Sequence, residues 1–190
     1  MRLIIVRHGQ TEGNISRIMQ GHSPGVLSDL GKKQARKLAQ RLKNEKIDLI
    51  ISSDLARALD TAKIVAEFHP DIELIIDKRI RERYIGSLEG SKYKDGLEWD
   101  NVPEDVEKES MMLERTTELF DETLKNNFEK TVVFVAHAGI NCALLGGIID
   151  KDLAKISKWR KQGNTCVNII EIDKEGDIDI KLLNCTEHLK

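Results

Sequence analysis

The sequence predicts an α/β fold in which a mostly parallel, mixed sheet is covered by helices. Short apolar runs at residues 2–6, 47–51, 72–76 and 131–136 alternate with stretches of helical periodicity, the pattern of parallel strands joined by helical crossovers. Near the C-terminus, 165–172 and 177–183 read as two more strands joined by Asp173-Lys174-Glu175-Gly176; a short loop with a turn glycine makes such a pair antiparallel. At 190 residues, 40 % of them hydrophobic, the chain is long enough to bury a core without disulfides or a metal. One domain over 1–190 is expected.

Lysine and arginine number 30 against 32 acids, a formal net charge of −2, so no basic excess calls for nucleic acid or a membrane surface as partner. No apolar run approaches the roughly 18 residues that read as a transmembrane helix. The first residues lack the cationic start, apolar core and small-residue cleavage site of a signal peptide, and a cytoplasmic protein is expected. Cys142, Cys166 and Cys185 show no C-x-x-C spacing and are expected to be buried free thiols.

The elements follow in order. Leu3-Ile4-Ile5-Val6 is a buried strand that delivers Arg7-His8-Gly9 to its C-terminal end, where open α/β sheets place their ligands. Leu30, Ala35, Leu38, Ala39 and Leu42 form a helical stripe behind Ser28, a good N-cap. Lys32, Lys33, Arg36, Lys37, Arg41 and Lys43 then fall on the outer face and are expected to be solvated. A second helix is expected over 54–68, burying Leu55, Ala58, Leu59, Ala62, Ile64 and Val65, with Pro70 beyond it and Arg57 in its first turn. Residues 91–110 are polar and net acidic, with Tyr93 and Trp99, and read as an inserted lid. The strand 132–136 again ends in a histidine, His137, followed by Ala138-Gly139.

Two strand-end histidines with arginines nearby suit phosphomonoester chemistry. Phosphoryl transfer needs an in-line nucleophile, cations for the equatorial oxygens and an acid for the departing alkoxide. His8 is the candidate nucleophile. Arg7, Arg57 and His137 supply positive donors, the guanidinium fork matching phosphate oxygens in pairs. Asn14 and the backbone N–H groups after His137, at a helix N-terminus, add further donors. Glu82, after the third strand, is the candidate acid. In an extended loop successive side chains point to opposite sides, so Glu82 is expected to face the site while Arg81 and Arg83 face away. Other readings stand beside these: Arg57 paired with Asp54 or Asp60, and Glu82 in a surface ion cluster with Arg81 and Arg83. The five histidines include no i, i+4 pair, so neither a metal nor another cofactor is expected. His22 has no clear role, and His69 and His188 read as surface residues.

These residues resemble the histidine phosphatase superfamily, which includes the cofactor-dependent phosphoglycerate mutases. Arg7-His8-Gly9-Gln10-Thr11-Glu12-Gly13-Asn14 resembles its R-H-G-x-T-x-x-N signature. Gln20-Gly21 and Leu27-Ser28 resemble the following loop and helix start, and Ser53-Asp54-Leu55 with Arg57-Ala58 the arginine-bearing helix. Glu82-Arg83 with Gly86, Glu89 and Gly90 resembles the acid loop, Glu109-Ser110 with Arg115 a later helix, and Ala136-His137-Ala138-Gly139 the second histidine. The resemblance implies a three-layer αβα sandwich, a phosphohistidine at His8, and Glu82 as acid. It also implies substrate binding by Arg7, Asn14, Gln20, Gly21, Arg57, His137 and Ala138.

Within that family a metal-independent phosphatase acting on a small phosphorylated metabolite is the preferred reading. A mutase typically has a tyrosine where Ile85 stands and arginines in the lid, whereas 91–110 contain none; an acidic lid also admits water, which favours hydrolysis. A phosphoglycerate mutase is the alternative. A non-catalytic phosphate-binding regulator is the second, weakened by the presence of His8, Arg57, His137 and Glu82 together. The acids Asp95, Glu98 and Asp100 imply a leaving group that is not a polyanion. A free sheet edge leaves room for a homodimer.

Overall fold

The computed structural model describes residues 1–93, 99, 101–150, 158–159 and 161–190. Strands β1 (Arg2–Arg7), β2 (Leu49–Ser52), β3 (Leu74–Ile76) and β4 (Thr131–Ala136) are parallel. β5 (Val167–Ile172) and β6 (Ile178–Cys185) form the antiparallel hairpin, giving the order β3-β2-β4-β1-β5-β6. β1 and β4 lie in the middle, which is why both read as unbroken apolar runs: each face of each is covered.

Alternation along the strands divides the core. Leu3, Ile5, Val132 and Phe134 face one side, with Leu119 and Phe120 of α4 (Glu109–Asn126) and Ile140 and Leu144 of α5 (Ala138–Leu145). Ile4, Val6, Val133 and Val135 face the other, with Leu38 and Leu42 of α2 (Asp29–Leu42) and Ala62 and Val65 of α3 (Ala56–Ala66). This is the expected αβα sandwich. Among the described residues no helix is long and apolar enough to cross a membrane.

Several local expectations change. Ser28 does cap α2, its Oγ accepting from the Gly31 N–H at 3.0 Å, but Leu30 is 51 % exposed. Gly31 takes the inward position instead, because a Cβ there would lie 1.9 Å from the Gln10 carbonyl oxygen; only glycine lets α2 press against the loop after His8. α3 starts at Ala56, later than expected, and Leu59 and Ile64 are only half-buried. Glu12–Ile15 form a one-turn helix, α1, closed by a capping box between Thr11 and Asn14. His69 is buried and His188 half-buried against the Thr165 hydroxyl at 3.3 Å, so neither is a surface residue. The three cysteines are free, two of them buried and Cys185 partly so. Burial pushes the Cys166 thiol up to about 11.

Candidate active site

Strand register brings the two histidines together. Arg7 lies opposite Ala136 in the parallel β1–β4 pair, so His8 and His137 leave the sheet side by side. Their ring centroids are 5.3 Å apart and the planes tilt by 57°. Both rings are buried.

His8 Nδ1 is 2.7 Å from the Gly9 carbonyl oxygen. That oxygen can only accept, so Nδ1 carries the proton and Nε2 of the neutral ring keeps its lone pair. Burial, then the charges of Arg7 and Arg57, hold the His8 pKa well below its usual 6.5. His137 is held down in the same way by burial, then by Arg57, His8 and Arg7. Desolvation and the two guanidiniums disfavour a charge on the His137 ring, so its role as a positive donor, expected from the sequence, is opposed by its surroundings.

The arginines are anchored from behind. Arg57 is 1 % exposed, and its two terminal nitrogens donate to the carbonyls of Ser23 and Gly21, each at 2.7 Å. Asp54 is not its partner; both Nε and Nη2 of Arg81 grip that carboxylate instead. Arg7 Nη1 donates to the Gln162 carbonyl at 2.6 Å. The Nε groups of Arg7 and Arg57 are buried without a partner among the described residues, as is the Gln20 side-chain oxygen. The Asn14 side-chain oxygen, Oδ1, accepts from the Thr11 N–H at 3.1 Å and from Asn164 Nδ2 at 3.2 Å, which leaves its own NH₂ as a donor.

Glu82 sits across from these groups at the start of α5. Oε2 accepts the Gly139 N–H at 3.2 Å and Oε1 accepts the Arg83 N–H at 2.9 Å. The helix N-terminal donor expected for a ligand at Gly139 is thus occupied by this carboxylate. The Glu82 carbonyl accepts from His22 Nε2 at 2.8 Å and from Arg115 Nη2 at 3.1 Å. Arg115 also donates to the carbonyls of Arg79 and Arg81 and grips Glu107 with two nitrogens. Burial opposes ionisation of Glu107, but the Arg115 fork and the Tyr84 N–H outweigh it and leave its carboxyl below the usual range. His22 and Arg115, which the sequence left without roles, hold the Glu82 loop.

Arg7, His8, Asn14, Gln20, Gly21, Arg57, Glu82 and Ala138 share one cavity of about 340 Å³, with His137 fully buried beside it. The cavity wall also includes Ile18, Met19, Ile85, Met112, Tyr93 and Trp99. Arg81 points away to Asp54, as alternation predicts. Arg83 does not: it lines the cavity, with its guanidinium 4.7 Å from the Trp99 ring centroid and its Nε donating to the Glu107 carbonyl at 2.7 Å. The Trp99 face and the Glu107 carbonyl hold it there, so the cavity wall carries a cation that alternation alone turns outward. Asp95, Glu98 and Asp100 lie outside the described residues.

Other supports reach their targets from distant parts of the chain. Ser53 touches His137 Nε2 at 2.9 Å, Thr61 accepts the Gly9 N–H at 3.1 Å, and the Thr165 N–H binds the Arg7 carbonyl at 3.1 Å. Gln162, which holds Arg7, lies 155 residues away in the chain. Only the tertiary fold brings such partners together.

Comparison with known proteins places this geometry. Phosphoserine phosphatase 1 of Hydrogenobacter thermophilus is 32 % identical over 206 residues, covering 100 % of this chain and 94 % of that protein. Phosphoglycerate mutase-like protein 4 of Arabidopsis thaliana is 28 % identical over 203 residues, covering 99 % and 86 %. Among solved structures, the mycobacterial glucosyl-3-phosphoglycerate phosphatase Rv2419c in complex with VO3 superposes with a TM-score of 0.89 at 27 % identity, covering 97 % of this chain and 99 % of that one. The family profile matches residues 3–186, from the first strand to the end of β6, and with that span the chain belongs to the histidine phosphatase superfamily, branch 1.

Proposed function

We propose that the protein hydrolyses phosphomonoesters of small metabolites through a phosphohistidine at His8. The observation that carries this reading is the His8 ring, buried and neutral, with its Nε2 lone pair unprotonated beside Arg7 and Arg57. Nε2 attacks phosphorus and the bond from phosphorus to the leaving oxygen breaks. Glu82 gives that oxygen a proton. In the second half, Glu82 takes a proton from water, the hydroxide attacks phosphorus, and the phosphorus–Nε2 bond breaks to release phosphate. Arg7, Arg57, Asn14, Gln20 and His137 spread donors around the transferring group, while Gly21 and Ala138 leave room for it.

The phosphatase names among the relatives support hydrolysis. A cytoplasmic setting fits three free thiols. A second reading, a mutase, is favoured by one observation: Arg83 lines the cavity and supplies the cation on the leaving-group side that an acidic lid lacks. Purified protein should be given a panel of phosphomonoesters including phosphoserine and 3-phosphoglycerate. Release of inorganic phosphate without formation of the isomeric phosphoglycerate is the expected result. Isomer formation that outpaces phosphate release would establish the mutase.

A further inference from the structure

Ser53, directly after β2, is buried, and its backbone N–H is tied to the Val135 carbonyl at 3.1 Å. Its Oγ meets two groups. It accepts the Leu55 N–H at 3.2 Å and lies 2.9 Å from His137 Nε2. On the other side of the imidazole, Nδ1 is buried without a partner among the described residues.

The two tautomers of a neutral His137 leave different groups unpaired. With the proton on Nε2, that nitrogen donates to Ser53 Oγ, and both the Ser53 hydroxyl hydrogen and the Nδ1 lone pair are orphaned. With the proton on Nδ1, the Ser53 hydroxyl donates to Nε2, the Leu55 N–H fills an Oγ lone pair, and only the Nδ1–H is orphaned. Buried polar groups are costly when unmade, so the second arrangement is preferred. Direction agrees with this accounting. β4 lies between β2 and β1: Nε2 of His137 meets Ser53 on the β2 side, and the ring stands 5.3 Å from that of His8 on the β1 side.

We propose that Ser53 is a positioning residue that fixes His137 in the Nδ1–H tautomer, so that Nδ1 donates to an oxygen of the transferring phosphoryl group. The unpaired Nδ1–H is then the donor that the phosphoryl group satisfies. In the opposite tautomer a lone pair would face the anion. This inference deepens the phosphohistidine reading and rests on it for the identity of the ligand; Ser53 itself forms and breaks no bond to substrate.

Long-range proton–nitrogen correlation spectra of the intact ¹⁵N-labelled protein, with and without inorganic phosphate, read the tautomer directly. The expected spectrum shows His137 protonated at Nδ1 and bare at Nε2 in both states; a proton on Nε2 overturns the proposal. Ser53→Ala should mix the tautomers and lower kcat by up to about 10²-fold, the size of one lost preorganised donor, with a much smaller change in KM. Ser53→Thr keeps the hydroxyl and should recover most of the rate. An unchanged tautomer and kcat in Ser53→Ala would also overturn it. Should Ser53→Ala fail to fold, the wild-type spectrum still decides. Should His8 never carry phosphate, the phosphatase reading fails while the tautomer is still read independently.

Discussion

Glu82 and Gly139 are fitted to one another: the Gly139 N–H donates to Oε2 at 3.2 Å, and a Cβ on Gly139 would lie 2.5 Å from Oε1. The glycine after the second strand-end histidine makes room for a carboxylate contributed by a loop 57 residues earlier in the chain. It also aims the helix N-terminal dipole at that carboxylate.

Gly139→Ala should therefore act on Glu82. The added methyl pushes the carboxyl aside, and turnover of alkyl phosphates, whose leaving oxygen needs a proton, should fall by about 10²-fold. A nitrophenyl phosphate, whose leaving group departs as a stable anion, should lose much less. Glu82→Gln should show the same asymmetry. Steady-state kinetics on the two substrate types checks both; equal losses would make Glu82 a positioning group only.

Beside its proposed role at the phosphoryl group, Arg57 holds the Gly21 and Ser23 carbonyls with its fork. Arg57→Lys keeps the charge but loses the two-pronged grip, and should cost about 3 to 4 kcal/mol of transition-state stabilisation, roughly 10² to 10³ in kcat. KM should rise as well because the loop loses its anchor. Rates close to wild type would remove Arg57 from the site.

Stability should depend on pH through the buried rings. His8 and His137 are neutral when folded, with pKa values held well below 6.5, and His188 is lowered to about 4 by burial and then by Arg41 and Lys37. Below pH 6.5 the unfolded chain binds protons that the native state refuses. Unfolding free energy must therefore fall as pH drops through that window, by up to about 1.4 kcal/mol per pH unit for each fully refused proton. Above about pH 7 these groups add no slope. Urea midpoints at pH 7.5 and 5.5 check the sign, and His8→Gln should flatten the dependence.

Phe134, fully buried in the central β4 strand, tests the core. Phe134→Ala should cost about 3 to 5 kcal/mol by lost transfer and cavity formation, measured by denaturant unfolding with an unchanged m-value.

The parts of this architecture legible in the sequence are those with local periodicity. β1 and β4 announce themselves as apolar runs, and their ends deliver His8 and His137, so the central pairing of the site follows from two strands and parallel register. Leu30 was misplaced because periodicity cannot see that Gly31 must fill the inward position against the Gln10 backbone. Arg83 was turned outward because alternation ignores the Trp99 face. The resemblance marks Ser53 and Arg115 without saying what they touch, and Gln162 is unmarked; their hydrogen bonds to His137, the Glu82 carbonyl and Arg7 cross many residues of chain, and no spacing rule encodes those. His69 looked like a surface residue because burial depends on what packs over it, not on its own neighbours in sequence.

The central claim is a covalent phosphoryl group on His8 Nε2. Enzyme mixed with substrate in the presence of excess chelator and quenched in alkali, where phosphohistidine survives, should yield a phosphorylated peptide carrying His8 in the first turnover, and His8→Ala should yield neither that peptide nor turnover. Phosphate release that proceeds with His8 unmodified, or that persists in His8→Ala, would contradict the account.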